Sequence, residues 1–223
     1  LIAAPSAAIT TGDPVKTRAW QALRAEPLAR LDHQPRPRAI VECGGYSKPD
    51  HGCTDETNDA AAAYAHALQF AYSQDARHAH KAIEIMDAWA TTLVGGHTLG
   101  NAALQASWSA QVWTRAAEII RHAPASPWPD ANARRFGEWL LSQYLPDIRK
   151  VGPCQVANWQ ASAIEARANI AVYTDRRDLY EEAIADWRAW LPALIYDEAD
   201  GPTPVRPPTC TTSLPDFWFG QTQ

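Results

Sequence analysis

Apolar residues recur at spacings of three and four along almost the whole of this chain, and nowhere do they alternate over a stretch long enough for a half-buried strand. That period puts one apolar stripe on each of a succession of helices, which commits the fold to helix-on-helix packing. Asp13 and Pro14 read as the N-cap and first helical position of a segment through Trp20, Leu23 and Leu31. After a Pro- and Arg-rich coil, helices are predicted over about 57–72, 75–93, 101–122, 130–144, 158–173 and 178–195. In the second of these Asp75 is the cap, and Ala79, Ile83, Met86, Ala90 and Leu93 form the stripe. Short Gly, Pro or Asp connections predict antiparallel hairpins.

A shift of about 101 residues superposes Tyr72 on Tyr173, Ala82-Ile83 on Ala183-Ile184, Ala88-Trp89 on Ala189-Trp190, and Leu93 on Leu194. Both copies are a helix, a tight turn and a helix, the unit of an open solenoid or a closed toroid. Such matches also arise by chance between amphipathic helices. Beyond Tyr196 the period gives way to a Pro-rich coil ending in Phe217-Trp218-Phe219. An exposed aromatic cluster is an unusual end for a domain, and further polypeptide is expected to follow.

The 223 residues are 46% hydrophobic and 20% charged, enough to bury one large core. Lys and Arg number 20 against 25 Asp and Glu, so bulk charge argues against nucleic acid as a partner. No run approaches the roughly 18 apolar residues of a membrane span. The four cysteines follow neither CxxC nor zinc spacing. They permit three pairings, of which Cys43 with Cys53 and Cys154 with Cys210 is the expected one; four separate buried thiols are the alternative. Disulfides would place the protein outside the cell.

Ten Trp and seven Tyr against four Phe favour rings with a polar handle, which suit a core and a sugar cleft equally. After Gly100, the residues Asn101, Gln105, Trp108 and Val112 share one helix face, and His97 stands just upstream. Amides beside an indole make poor core and good cleft lining, although a capping Asn with a half-buried Trp would give the same pattern. Asn158, Trp159 and Gln160 open a helix after Gly152-Pro153, where side chains and free backbone N–H groups can converge on an anion.

The run NWQ-S-IEA-IAVYTDR-LY-AI-WR, followed by P-IY and DGPTP, resembles the alginate lyase-like polysaccharide lyases. So do IVECGGYSKPDHGCTDE, HAHKAIEIMDAWA and NAALQASWSAQVWTRAAEIIRHA, a likeness covering nearly everything from Ala39 onward. Within that superfamily the secreted glucuronan or mixed polyuronate lyases are most similar. The resemblance implies an all-α, incomplete (α/α) toroid occupying residues 1–223 as one domain completed by a C-terminal continuation or companion chain. It implies β-elimination on an acidic polysaccharide with no required cofactor or metal, and no membrane or nucleic-acid partner.

Elimination removes the weakly acidic C5 proton beside a carboxylate, so the carboxylate must be neutralised before a base can act. The family's neutralising Asn matches Asn158. Trp159 stands where many relatives carry His. The base, a Tyr assisted by His and Arg, is expected beyond position 223, and no motif assigns it to any Tyr here, Tyr196 included. Gln105 and Trp108 match the helix of substrate-contacting amides and aromatics, and Tyr46 lies on the segment resembling the cleft lid, unless it simply covers the base of its own loop. With them, His97, Asn101, Trp159 and Gln160 complete the expected cleft lining.

Other residues read more plainly. His51 is expected to be a solvated turn residue; His66, His78, His80 and His122, surface or cap residues; Arg176 and Arg177, a solvated pair in a hairpin turn. Two other functions compete. A glycoside hydrolase needs two carboxylates about 5–9.5 Å apart, and only Glu42, Asp55 and Glu56 are candidates. A non-catalytic carbohydrate-binding protein needs no base at all.

Overall fold

Asp13 accepts hydrogen bonds from the backbone N–H of Val15 and Lys16 at 2.9 and 3.2 Å and, with Pro14 at the first position, starts α1, Pro14–Ala25. The structure, a computed structural model, describes residues 13–124, 126–155, 157–202 and 205–210. Phe217-Trp218-Phe219 and the first residues of the chain lie outside them. The remaining helices are α2 (Cys53–Ser73), α3 (Ala76–Thr92), α4 (Ala102–His122), α5 (Asp130–Trp139), α6 (Leu145–Ile148), α7 (Asn158–Tyr173) and α8 (Arg177–Leu194). The expected mostly α-helical class is the one observed.

Two local differences from the predicted boundaries have clear causes. α2 starts at Cys53, about a turn early, because Asp50 accepts from the Thr54 backbone N–H at 3.2 Å and its hydroxyl at 2.5 Å. The helix expected through 144 passes at Leu140–Tyr144 into a wide π-type turn before α6. Pro146 follows directly; it lacks an N–H, and its ring crowds the carbonyl four residues back, so the helix cannot continue unaltered.

Three strands too short to carry a period also form. β1 (Val41–Cys43) pairs antiparallel with β2 (Asp50–His51) and parallel with β3 (His97–Thr98).

α2 and α3, and α7 and α8, form antiparallel hairpins: Asp59 of α2 bonds Trp89 of α3, and Arg167 of α7 bonds Glu182 and Asp186 of α8. α4 and α7, however, are parallel neighbours. Gln111 donates to the Ser162 carbonyl at 3.0 Å, Arg115 pairs with Glu165, and Arg121 donates to the Tyr173 carbonyl at 2.8 Å, with steady separations of 51, 50 and 52 residues. Gln105 meets Glu56 of α2 in the same sense, 49 residues back. Thus α2, α4 and α7 lie side by side with their N-termini at one end, and α3, α5 and α8 return along them.

The repeat in the sequence is real in space. Ser73 and Thr174 each turn their hydroxyl onto the carbonyl four residues back, at 2.6 and 2.7 Å, and the next residues, Gln74 and Asp175, both have left-handed φ near 59° and 54°. Two α-hairpins therefore close with the same turn. Between them Trp113 stands edge to face with Phe136 and Trp139 and tilted against Trp89, at 6.1 to 6.5 Å, and Phe136 stands edge to face with Tyr173. Alanines 60, 62, 63, 65 and 67 line α2 with small buried side chains that let the neighbouring helices close in.

Candidate functional site

The end of the molecule at which α2, α4 and α7 begin is where sequence and geometry converge. Cys43 and Cys53 are bonded, with Cα atoms 5.8 Å apart, and close a loop over that end. Gly44 packs against Lys48 so tightly that a Cβ would stand 1.9 Å from its carbonyl oxygen. This close approach bends the loop outward at Tyr46 and Ser47, both with φ near 54°. Tyr46 is 99% exposed, so it does not cover its own loop base.

Trp108, on the first turns of α4, is 40% exposed. The parallel register brings it level with Trp159, beside Asn158 at the start of α7. Asn158 is exposed and Trp159 half-buried. Ala157, with φ 55°, precedes the helix, and no side chain caps it, so its first backbone N–H groups face outward with the positive end of the helix dipole. The second disulfide, Cys154–Cys210, holds the segment leading into this helix. Gln160 is buried and donates to the Gly152 carbonyl at 3.1 Å, while Gln155 accepts from the Gly152 N–H at 2.5 Å. Both disulfides are those expected from the sequence.

Four of the expected cleft-lining residues are buried. His97 and Gln105 are 3% and 2% exposed, and Asn101 and Gln160 are also buried. Gln160 anchors the approach to α7. The Asn101 backbone N–H donates to the Cys43 carbonyl at 2.9 Å, tying α4 to β1, and its side chain makes no cap.

His97 and Gln105 instead converge on Glu56, one layer beneath the surface. Glu56 accepts from His97 Nε2 at 3.0 Å, from Tyr144 Oη at 2.5 Å and from Gln105 Nε2 at 2.8 Å. Asp147 accepts from the His97 backbone N–H at 2.7 Å, from its Nδ1 at 3.2 Å and from Lys150 Nζ at 2.5 Å. Burial alone would make His97 neutral, but the charges of Glu56 and Asp147 outweigh it and raise its pKa to about 9. Asp147 resists its own desolvation through those same hydrogen bonds and falls to about 2. In Glu56 burial likewise pushes up, yet the imidazolium charge and the three donors hold the group below its ordinary value. Burial and Glu56 push the Tyr144 hydroxyl well up, so it remains a donor. Sequence reasoning passed over Tyr144 and Asp147, whose only signal is a polar pair flanking Pro146 at a helix break.

Each of the three carboxylates expected for a hydrolase already has a partner. Glu56 is sealed from water and saturated with donors, Asp55 is held by Arg38 at 2.6 Å, and Glu42 by His51 at 3.1 Å. The other histidines divide. His51, His80 and His122 are exposed as expected, but His66 is buried, its Nδ1 2.7 Å from that of His78. Burial first, then His78, lowers His66 to about 4. Arg176 and Arg177 are solvated and paired with Asp178 and Glu181. Among the described residues no cluster of three or more metal-ligating side chains forms, and no helix is long and apolar enough to cross a membrane.

The family model described as alginate lyase matches residues 15–205. No curated protein and no solved structure matches significantly. A match over most of the chain shows that the chain belongs to the alginate lyase family.

Proposed function

We propose that this protein is a secreted polysaccharide lyase that cleaves a polyuronate, glucuronan or a mixed polyuronate such as alginate, by β-elimination at the end where its parallel helices begin. The observation that carries this reading is Asn158, exposed at the N-terminus of α7 next to Trp159 and, by the parallel register of α4 and α7, level with Trp108. An anionic sugar ring placed there meets an indole face, an amide donor and the positive ends of parallel helices.

Asn158 donates to the C6 carboxylate, which draws charge off C5 and makes its proton removable. The base takes that proton, electrons move to form the C4–C5 double bond, and the 4-O-linked chain leaves with a proton. That base, a Tyr assisted by His and Arg in the resembling lyases, is read as coming from a segment outside these residues, so the proposed domain is an incomplete toroid. Tyr46, standing free above the cleft, closes over the polymer and excludes water. The two disulfides support an oxidising compartment.

The test is ultraviolet absorbance of the unsaturated uronate during incubation with glucuronan, polymannuronate and polyguluronate in turn. A rise on one polymer establishes elimination and names the sugar. Shorter products without that absorbance would replace the reading with hydrolysis. Retention on a polymer column with no cleavage would replace it with binding alone.

A further inference from the structure

The buried cluster around Glu56 and His97 adjoins both ends of the loop that carries Tyr46. The Cys43 carbonyl is fixed by the Asn101 N–H, at the start of α4. The Cys53 carbonyl is fixed by Gln105 Nε2 at 3.2 Å, and that same nitrogen lies 2.8 Å from Glu56. Glu56 in turn grips His97 of β3, which pairs with β1 at the loop's first anchor. On the far side, Gly96 with φ 61° lets Asp147 approach so closely that a Cβ there would stand 2.6 Å from its Oδ2.

We propose that Glu56 and His97 are positioning residues: their buried ion pair locks the base of the Cys43–Cys53 loop onto α4 and so sets how firmly Tyr46 closes over substrate. This rests on the lyase reading only for its link to substrate. Around the pair, α2 contributes Glu56, α4 contributes Gln105, the π-type turn contributes Tyr144, and α6 contributes Asp147, whose other oxygen faces Lys150. With both carboxylates charged, the imidazole stays protonated up to about pH 9. When it loses its proton one of the two carboxylates loses its donor, and the loop base loosens.

Glu56→Gln tests this, because it keeps the shape and removes the charge. Amide hydrogen exchange of residues 44–51, corrected for intrinsic rates and followed by mass spectrometry, reads the loop directly. In the unaltered protein, protection holds from about pH 6 to about pH 8 and falls on approach to about 9. In Glu56→Gln that fall moves down by about one pH unit or more. KM for the cleaved polymer rises about three- to tenfold while kcat changes less. Tyr144→Phe keeps the ion pair and leaves the midpoint of the fall in place. Loop protection in Glu56→Gln with an unshifted pH dependence, or a loss spread evenly over the molecule, overturns the proposal. Should Glu56→Gln not fold, Gly96→Ala displaces Asp147 instead, and an unshifted loop in that variant overturns it equally. Exchange needs no turnover, so a shifted loop in a protein that cleaves none of the polymers upholds the lock and refutes only the lyase reading.

Discussion

At the scale of single residues, exposure separates two groups that the sequence had merged. Asn158 and Trp108 face solvent, whereas Gln105, one turn from Trp108, faces Glu56. On the proposed mechanism, replacing Asn158 with Ala removes the donor to the substrate carboxylate, from an exposed position. Turnover on the cleaved polymer is expected to fall about 10²- to 10³-fold with an unchanged circular dichroism spectrum; near-normal turnover would remove Asn158 from the mechanism. Trp108→Ala deletes a stacking surface, which binds ground and transition states alike. Steady-state kinetics should show KM raised about fivefold at nearly constant kcat, in keeping with about 1 kcal/mol per lost ring contact.

At the scale of elements, the disulfides act on the starts of helices. Cys154–Cys210 spans 56 residues and holds the segment that leads into α7. The double replacement Cys154→Ser, Cys210→Ser should lower unfolding free energy by about 2–4 kcal/mol in urea titration, if the crosslink acts mainly on the unfolded chain. It should also weaken polymer binding, because Asn158 opens that helix; an unaltered Kd would detach the disulfide from the site. The same scale explains which boundaries the sequence revealed. Asp13 and Asp75 cap the helices they were expected to cap, since a cap is decided within four residues. The π-type turn before Pro146 was not foreseen, because how a helix accommodates proline depends on what packs against it.

For the whole molecule, two buried histidines pull stability in opposite directions with pH. His97 has a folded pKa raised to about 9 from 6.5, so its contribution is complete below 6.5 and is lost as pH rises through 9. That amounts to the order of 3 kcal/mol. His66 is depressed to about 4, so its contribution is complete above 6.5 and is lost as pH falls toward 4. Melting temperature should therefore peak near pH 6.5 and decline on both sides. His97→Gln should flatten the alkaline limb alone; an alkaline limb unchanged in that variant would assign it to other groups.

Period, caps and turn residues are properties of neighbours in sequence, so the chain by itself determined its helices, its hairpins and the 101-residue repeat that the matching turns at Gln74 and Asp175 bear out. The pairing of Cys43 with Cys53 was legible for the same reason, the two standing only 10 positions apart. Asn158 and Trp108 stood out because amides and rings on exposed helical positions are chemically conspicuous. The parallel alignment of α2, α4 and α7 was not legible, since it joins residues about 50 apart through contacts that no local pattern encodes. Nor was the burial of His97, whose charged state exists only because two carboxylates from distant helices meet around it. Local chemistry chose the elements; packing decided which side chains reach solvent, and with them where a polymer can bind.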